Sequence, residues 1–570
     1  METSLLKSLF KSRLISRGFS CLKPSRYLPL GMLSALLTAL PGQAAEKLTF
    51  FYGPFVQSVQ VSSLNVFAQN GSINSDLEFY FKLAKADTKT QQEFRQALTA
   101  RLNLDPVLLS RLFYSELGEG ILTNIGRYIQ IPQQGNGMNA LRSALIMSAL
   151  DADGLTLLNF INKYPTNLYL DIGLGLQGFQ KLEKVVQATD FFIDKMAKFS
   201  ANEAAGSTFD YASMPDLRQP GPYQTRQHRW VLNDQNRDRQ FYVIVVQPEP
   251  LPQENNPVIL ISHGLGSRPE DFVDKAQQLA SYGFVVALPQ HPGSDSEQVQ
   301  KLQQGLSRSY FLDSEFIDRP KDLSYVIDEL ERRNQTEFSG RLNLQAVGVA
   351  GHSFGGYGVL AVAGATIDFE HLQQACDRPF AYLDTALLLE CRALQLPRET
   401  YNFRDERVKV VFAGNPVNYG IFGPQGLGQI QIPTFIVGGS DDPATPTVFE
   451  QARSFPALTA PTKYLALVEG QAHVNLAQLD AGVTKMLDSI PGLKLAHPEL
   501  LRGYADGMLV AFFKTHLVND RRYQPYMQSS YAAYLSRDQP FKVFVISNKS
   551  NDVFKQALTE FRAKHGSLVE

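Results

Sequence analysis

Gln345-Ala346-Val347-Gly348-Val349-Ala350 passes directly into Gly351-His352-Ser353-Phe354-Gly355-Gly356, and the chain continues as Tyr357-Gly358-Val359-Leu360-Ala361-Val362-Ala363. The opening residues read as an apolar strand and the closing ones as an apolar helix, so G-x-S-x-G falls on a strand-to-helix turn. With Gly and Ser at about 7% each, a chain of this length holds roughly 0.2 such pentapeptides by chance, so the motif alone is weak. Its setting makes it strong. A turn this sharp strains the serine backbone, and the flanking glycines admit the close approach that exposes Oγ above a sheet as a nucleophile. A phosphate loop is excluded, because no Gly-Lys-Ser/Thr follows.

A serine that attacks a carbonyl needs donors for the oxyanion, then a base and an acid. The apolar run Val258-Ile259-Leu260-Ile261-Ser262 ends in His263-Gly264-Leu265-Gly266-Ser267. The backbone N–H groups of Leu265 and Phe354 are therefore the expected oxyanion pair. His263 precedes the serine and is read as structural. Beyond Ser353, a strand over 434–437 leads into Gly438-Gly439-Ser440-Asp441-Asp442-Pro443, and one over 463–468 leads into Glu469-Gly470-Gln471-Ala472-His473. Asp442 is the expected acid and His473 the expected base, each on a loop at the edge where the serine lies. Pro443 restricts the Asp442 backbone to an extended or turn conformation, which points Asp441 away. His497, His516 and His565 lie in or beyond the last helical region. In this arrangement His473 takes the Ser353 proton, Asp442 fixes the imidazole tautomer, and water resolves an acyl-enzyme.

Further strands are expected over 225–232, 240–246, 284–288, 345–350 and 408–412, alternating with helices over 269–282, 320–333, 356–363, 448–455 and 499–514. Fully apolar strands between helices predict an α/β fold, a mostly parallel eight-stranded sheet covered on both faces. Upstream, 48–67 is β-prone and Asn70-Gly71 supplies a turn, so a hairpin or small sheet is expected there, after which the period becomes helical. Asp105-Pro106 reads as an N-cap and first helical residue, and helices are expected over 139–150, 155–161 and 179–199. This predicts a mainly helical accessory domain over 45–200, a Pro/Gly-bearing linker over 201–224, a catalytic domain over 225–518 and an extension over 519–570.

Lys7, Lys11, Arg13, Arg17, Lys23 and Arg26 precede an apolar run from 27 to 40 and the small-residue site Gly42-Gln43-Ala44. That order predicts a signal peptide over 1–44, and hence a periplasmic or secreted protein. Two cysteines then remain, Cys376 and Cys391, and an oxidising compartment predicts that they pair, closing a loop of about 15 residues worth roughly 3 kcal/mol. The segment 367–406 that holds them is long for a strand-to-helix connection, and two readings stand for it: a cap over the acyl pocket, or a surface helix packing on the core. Neither cysteine has a partner at zinc spacing, so no metal is expected. Fifty-four Lys plus Arg against 56 Asp plus Glu leave a net charge of -2, which offers no field for nucleic acid. A small-molecule or lipid ester, with transient contact to a lipid surface, fits better.

Ile261-Ser262-His263-Gly264-Leu265-Gly266, Tyr282-Gly283-Phe284-Val285-Val286-Ala287, His291-Pro292-Gly293-Ser294 and the Ser353 turn resemble the platelet-activating-factor acetylhydrolase and dienelactone-hydrolase-like branch of the α/β hydrolases. The likeness covers roughly 225–516, and the whole chain is similar to cyanobacterial hydrolases that carry an N-terminal domain of unknown function. It implies the α/β-hydrolase fold, serine esterase or lipase chemistry, and no cofactor. The spacing of Gly439, Asp442 and Pro446 matches the branch. The animal acetylhydrolases carry their acid after an earlier strand, where this chain has Ala413-Gly414-Asn415-Pro416, so the dienelactone-type position at Asp442 is preferred. Two rivals stand beside an ester hydrolase: an acyltransferase using the same acyl-enzyme, and a binding module that has kept the fold.

Overall fold

The computed structural model describes residues 44–252, 254–378, 381–473 and 495–565, and the described residues from Ala45 on make one compact unit. The expected signal peptide, up to residue 43, lies outside the described residues. The main sheet has nine strands: β5 (Gln224–Asp234), β6 (Arg239–Glu249), β7 (Asn256–Ser262), β8 (Val285–Pro289), β9 (Leu342–His352), β10 (Val408–Gly414), β11 (Thr434–Gly439), β12 (Lys463–Val468) and β13 (Val543–Ser547). Their order is β13-β12-β11-β10-β9-β7-β8-β6-β5. The six strands from β8 to β12 are parallel, and antiparallel pairs close both edges. The sheet is thus mixed and one strand wider than the eight expected, because the C-terminal segment returns to pair Val543 with Val468 along the outer edge of β12.

Alternate residues of the central strands enter opposite faces, as a doubly covered sheet requires. Val411 and Ala413 of β10 pack with Tyr357 and Phe316 on one side, while Val410 and Phe412 pack with Phe512 and Phe513 on the other. Helices Glu315–Glu337 and Phe354–Val362 cover the first face, and Val273–Ser281 and Pro498–His516 the second. Pro320 sits inside Glu315–Glu337, where it cannot donate to the Phe316 carbonyl. The buried Tyr357 hydroxyl donates there instead, at 2.7 Å, which ties this helix to the one that follows Ser353.

Register decides where the loops emerge. Gly351 pairs with Ala413 and Ser262, His352 with Gly414, Gly414 with Val437, and Gly439 with Val468. The carboxyl ends of β7, β9, β10, β11 and β12 therefore lie along one edge, and the chain leaves each of them on the same side.

The N-terminal region is not purely helical. It contains a four-stranded sheet of β1 (Lys47–Tyr52), β2 (Phe55–Gln60), β3 (Ile129–Gln130) and β4 (Leu168–Asp171) in the order β2-β1-β4-β3. The hairpin turns at Gly53-Pro54, and 61–70 is helical; Asn70-Gly71 ends that helix, with Gly71 in the left-handed conformation at φ 79°. Val61, Leu64, Phe67 and Ala68 are buried at helical spacing, a period that outweighs their β propensity. Asp105 caps the helix Pro106–Phe113 by accepting from the Val107 and Leu108 amides. The helix Ile172–Ala204 begins beside β1 and β4 and ends against β13, where Glu203 accepts from the Ser547 amide at 3.0 Å.

Candidate active site

Ser353 caps the helix Phe354–Val362 with φ 56° and ψ -120°, a conformation that costs a non-glycine residue about 1–3 kcal/mol. The surroundings enforce it. The Ser353 amide donates to the Gly414 carbonyl at 3.0 Å, and its carbonyl accepts from Val417 at 3.2 Å. A Cβ on Gly351 would lie 2.2 Å from the Gly355 oxygen, and one on Gly355 2.1 Å from the Ser262 oxygen, so only glycine fits at either position.

The structure brings the three expected side chains together. His473 Nε2 lies 2.7 Å from Ser353 Oγ, and His473 Nδ1 lies 2.8 Å from Asp442 Oδ2. An ionised carboxylate only accepts, so Nδ1 carries the hydrogen and Nε2 is free to accept from the serine. Asp442 also accepts from the amides of Ala444 at 2.8 Å and Thr445 at 2.9 Å, from the Thr445 hydroxyl at 2.8 Å, and from the Asn415 side-chain amide. Burial by itself would raise its carboxyl, but the His473 hydrogen bond and charge, the Thr445 amide and Asn415 outweigh it and hold the group below the usual carboxylate value. Asp441 points elsewhere: its carboxylate takes the Ser440 hydroxyl at 2.5 Å. His497 pairs with Glu499, and His516 bonds the Tyr464 hydroxyl at 3.1 Å, so each has a partner other than the serine. His473 is followed by 474–494, which lie outside the described residues.

Of the Leu265 and Phe354 amides, neither has an internal acceptor among the described residues. Phe354 is the first helical residue, whose N–H has no partner within the helix. The serine opens onto a cleft of about 760 Å³ lined by Leu265, Phe272, Phe412, Leu501 and Met508, with Lys275 and Arg502 among its charged residues. None of the lining residues comes from 367–406, so this segment does not cap the cleft. It does hold the disulfide Cys376–Cys391, with Cα atoms 5.9 Å apart. Leu372, Leu389 and Ala393 draw it onto the core, and Thr385 donates to the Ala444 carbonyl at 3.1 Å, behind the acid.

Three neighbours of the triad escape a reading by motif. Asn415, directly after β10, donates to Asp442 and accepts from Gln471 Nε2 at 2.9 Å. His352 places Nε2 2.9 Å from the His473 carbonyl; burial first, then the nearby His473, lowers it to about 3, so it is neutral and donates there. Arg319 is fully buried behind the Leu265 turn. It shares the buried face of its helix with Glu315 and Asp322 as well as Phe316, Leu323 and Val326, so the sequence offers a mixed charged and apolar stripe rather than a motif.

A second Ser-His-Asp chain lies nearby. Ser262 Oγ is 2.9 Å from His291 Nε2, and His291 Nδ1 is 2.9 Å from Asp322 Oδ2. All three residues are 0% exposed, Ser262 sits in regular strand, and Arg237 and Arg239 also pair with Asp322, so this chain is structural. His263 is structural too: Nδ1 lies 2.8 Å from the Gly264 carbonyl, and Nε2 accepts from the His291 amide at 3.2 Å. Among the described residues no group of three or more His, Cys, Asp or Glu could hold a metal ion.

A family model described as alpha/beta hydrolase of unknown function matches residues 44–171, the stretch that holds the small sheet. No curated protein matches the chain. That match covers less than half of the chain and makes it similar to this family over 44–171, while the nine-stranded sheet and the turn at Ser353 lie beyond the matched residues.

Proposed function

We propose that the chain is an exported serine hydrolase that cleaves carboxylic esters through an acyl-enzyme on Ser353. The observation that carries this reading is the unbroken chain from Asp442 through His473 to Ser353, at a strained turn that opens onto a cleft. Ser353 Oγ attacks the ester carbonyl carbon as its proton passes to His473 Nε2, and the oxyanion falls to the Leu265 and Phe354 amides. Collapse breaks the bond to the leaving alkoxide, which takes the proton from His473. Water then repeats the sequence and releases the acid. The apolar side chains of the cleft favour an ester with a hydrophobic acyl or alcohol portion, and membership of the acetylhydrolase-like branch is part of this proposal. Export is supported by the basic and apolar order of 1–44 and by the disulfide, which persists in an oxidising compartment.

The test pairs a fluorophosphonate probe with a series of p-nitrophenyl esters from acetyl to palmitoyl. The parent protein should label and turn over, and Ser353→Ala should do neither while melting at the parent temperature. Equal labelling of both proteins would remove Ser353 from the mechanism. A parent that labels, yet transfers acyl groups to an added alcohol in preference to water, would be an acyltransferase.

A further inference from the structure

Arg319 is 0% exposed, and taking a guanidinium out of water is costly unless its donors are used. The nearest carboxylate oxygen of Glu315 is 3.8 Å from Nε. The shorter contacts are to neutral oxygens: Nη1 donates to the His263 carbonyl at 2.6 Å, Nε to Ser294 Oγ at 2.9 Å, and Nη2 to the Gly264 and Ser294 carbonyls at 3.4 Å each. The His263 ring adds a second donor to the Gly264 carbonyl. Its Nε2 is occupied as an acceptor, and burial keeps the ring neutral, so Nδ1 carries the hydrogen.

The Gly264 carbonyl and the Leu265 N–H belong to one peptide unit. In a trans peptide these two groups point in opposite directions, so a carbonyl held inward toward Arg319 turns the Leu265 N–H outward. The turn lies against the serine, since a Cβ on Gly264 would lie 3.3 Å from Ser353 Cβ and Leu265 lines the same cleft as Ser353. Donation to the carbonyl also polarises the amide and strengthens its N–H as a donor. The guanidinium carbon lies 4.5 Å from the centre of the Phe354 ring, so the same side chain touches the residue that supplies the other amide. Burial lowers Arg319 to about 10, which leaves it charged at neutral pH.

We infer that Arg319 is the positioning residue of the oxyanion hole, aiming and strengthening the Leu265 N–H through the Gly264 carbonyl. This rests on the reading that Ser353 forms an acyl-enzyme. Lysine cannot replace it, because one ammonium cannot span the His263 carbonyl and Ser294 Oγ with the same planar fork. Deleting an oxyanion donor outright costs roughly 10²–10³ in kcat, so a misaimed donor should cost about 10- to 100-fold. The loss belongs in kcat, because the oxyanion exists only in the transition state and the intermediate.

The experiment compares the full-length parent with R319K and R319M, with melting curves confirming the fold. It measures kcat and KM on a p-nitrophenyl ester and the affinity for an alkyl trifluoromethyl ketone, which adds to the serine and places an oxyanion in the hole. Expected are a 10- to 100-fold lower kcat in both variants, a KM within about threefold, and ketone affinity reduced in proportion to kcat/KM. Folded variants that keep both kcat and ketone affinity, or that lose KM alone, would overturn the inference. Should neither variant fold, S294A removes the acceptor of Nε, along with the hydroxyl that donates to Glu315, and must show the same pattern at smaller size. A parent that is inactive and unlabelled by fluorophosphonate defeats the acyl-enzyme reading instead, so the two failures are distinguishable.

Discussion

Asp441 and Asp442 are adjacent and chemically identical, and only their surroundings separate them. Asp442 is 5% exposed and accepts from His473, Thr445 and Asn415, whereas Asp441 takes a hydroxyl from its own neighbour. Asparagine at 442 keeps the shape but loses the charge that holds the imidazole hydrogen on Nδ1, for which a serine-protease triad loses on the order of 10⁴ in kcat. Asp442→Asn should therefore lower kcat by at least about 100-fold and Asp441→Asn by less than about tenfold. The reverse ranking in steady-state kinetics would move the acid to 441. Asn415 explains why the earlier strand offers no rival: an amide there donates to Asp442, while a carboxylate would repel it and raise its pKa.

At the scale of elements, the disulfide-bridged segment is held on the core by Leu389, Ala393 and Glu390, whose carboxyl accepts from the Ile421 amide at 3.1 Å, rather than poised over the cleft. Asp384 and Glu390 belong to the segment, and Glu450 meets them from the core side while accepting from the Asn418 and Tyr419 amides at 2.7 and 2.9 Å. Burial, followed by the charge of Asp384, pushes Glu450 up to about 8. A carboxyl raised in the folded state contributes stability that is fully present below its unfolded value near 4.5 and is lost as pH rises through about 8. The melting temperature should therefore fall between pH 5 and pH 9, by at most about 1.4 kcal/mol of stability per pH unit from this group. Glu450→Gln keeps an acceptor for both amides and should flatten that slope. Parallel melting curves for parent and variant across the range would show that Glu450 ionises freely in the fold.

For the molecule as a whole, the C-terminal segment completes the sheet. Without β13, the outer edge of β12 would present unpaired backbone groups, and Phe192, Phe199 and Phe455 would lose Phe554. Deleting residues 540–570 should yield insoluble protein, and a soluble, fully active truncation would show that the sheet is complete at eight strands. The serine turn, the two loops that carry Asp442 and His473, and most strands of the large sheet were legible in the sequence, because each depends on a local pattern. Strand-ending glycines, a Pro after an Asp and an apolar run read the same in any fold that uses them. The helix at 61–70, the pairing of β13 with β12 and the resting place of the 367–406 segment were not legible, because they depend on which surfaces meet. The clearest case is Arg319, 56 residues from the His263 carbonyl it holds. Nothing in its neighbours along the chain says which backbone oxygens it will reach. That was decided only when the sheet register set the Leu265 turn beside Ser353 and packed the helix of Arg319 behind it, where a buried guanidinium had no water left to bond.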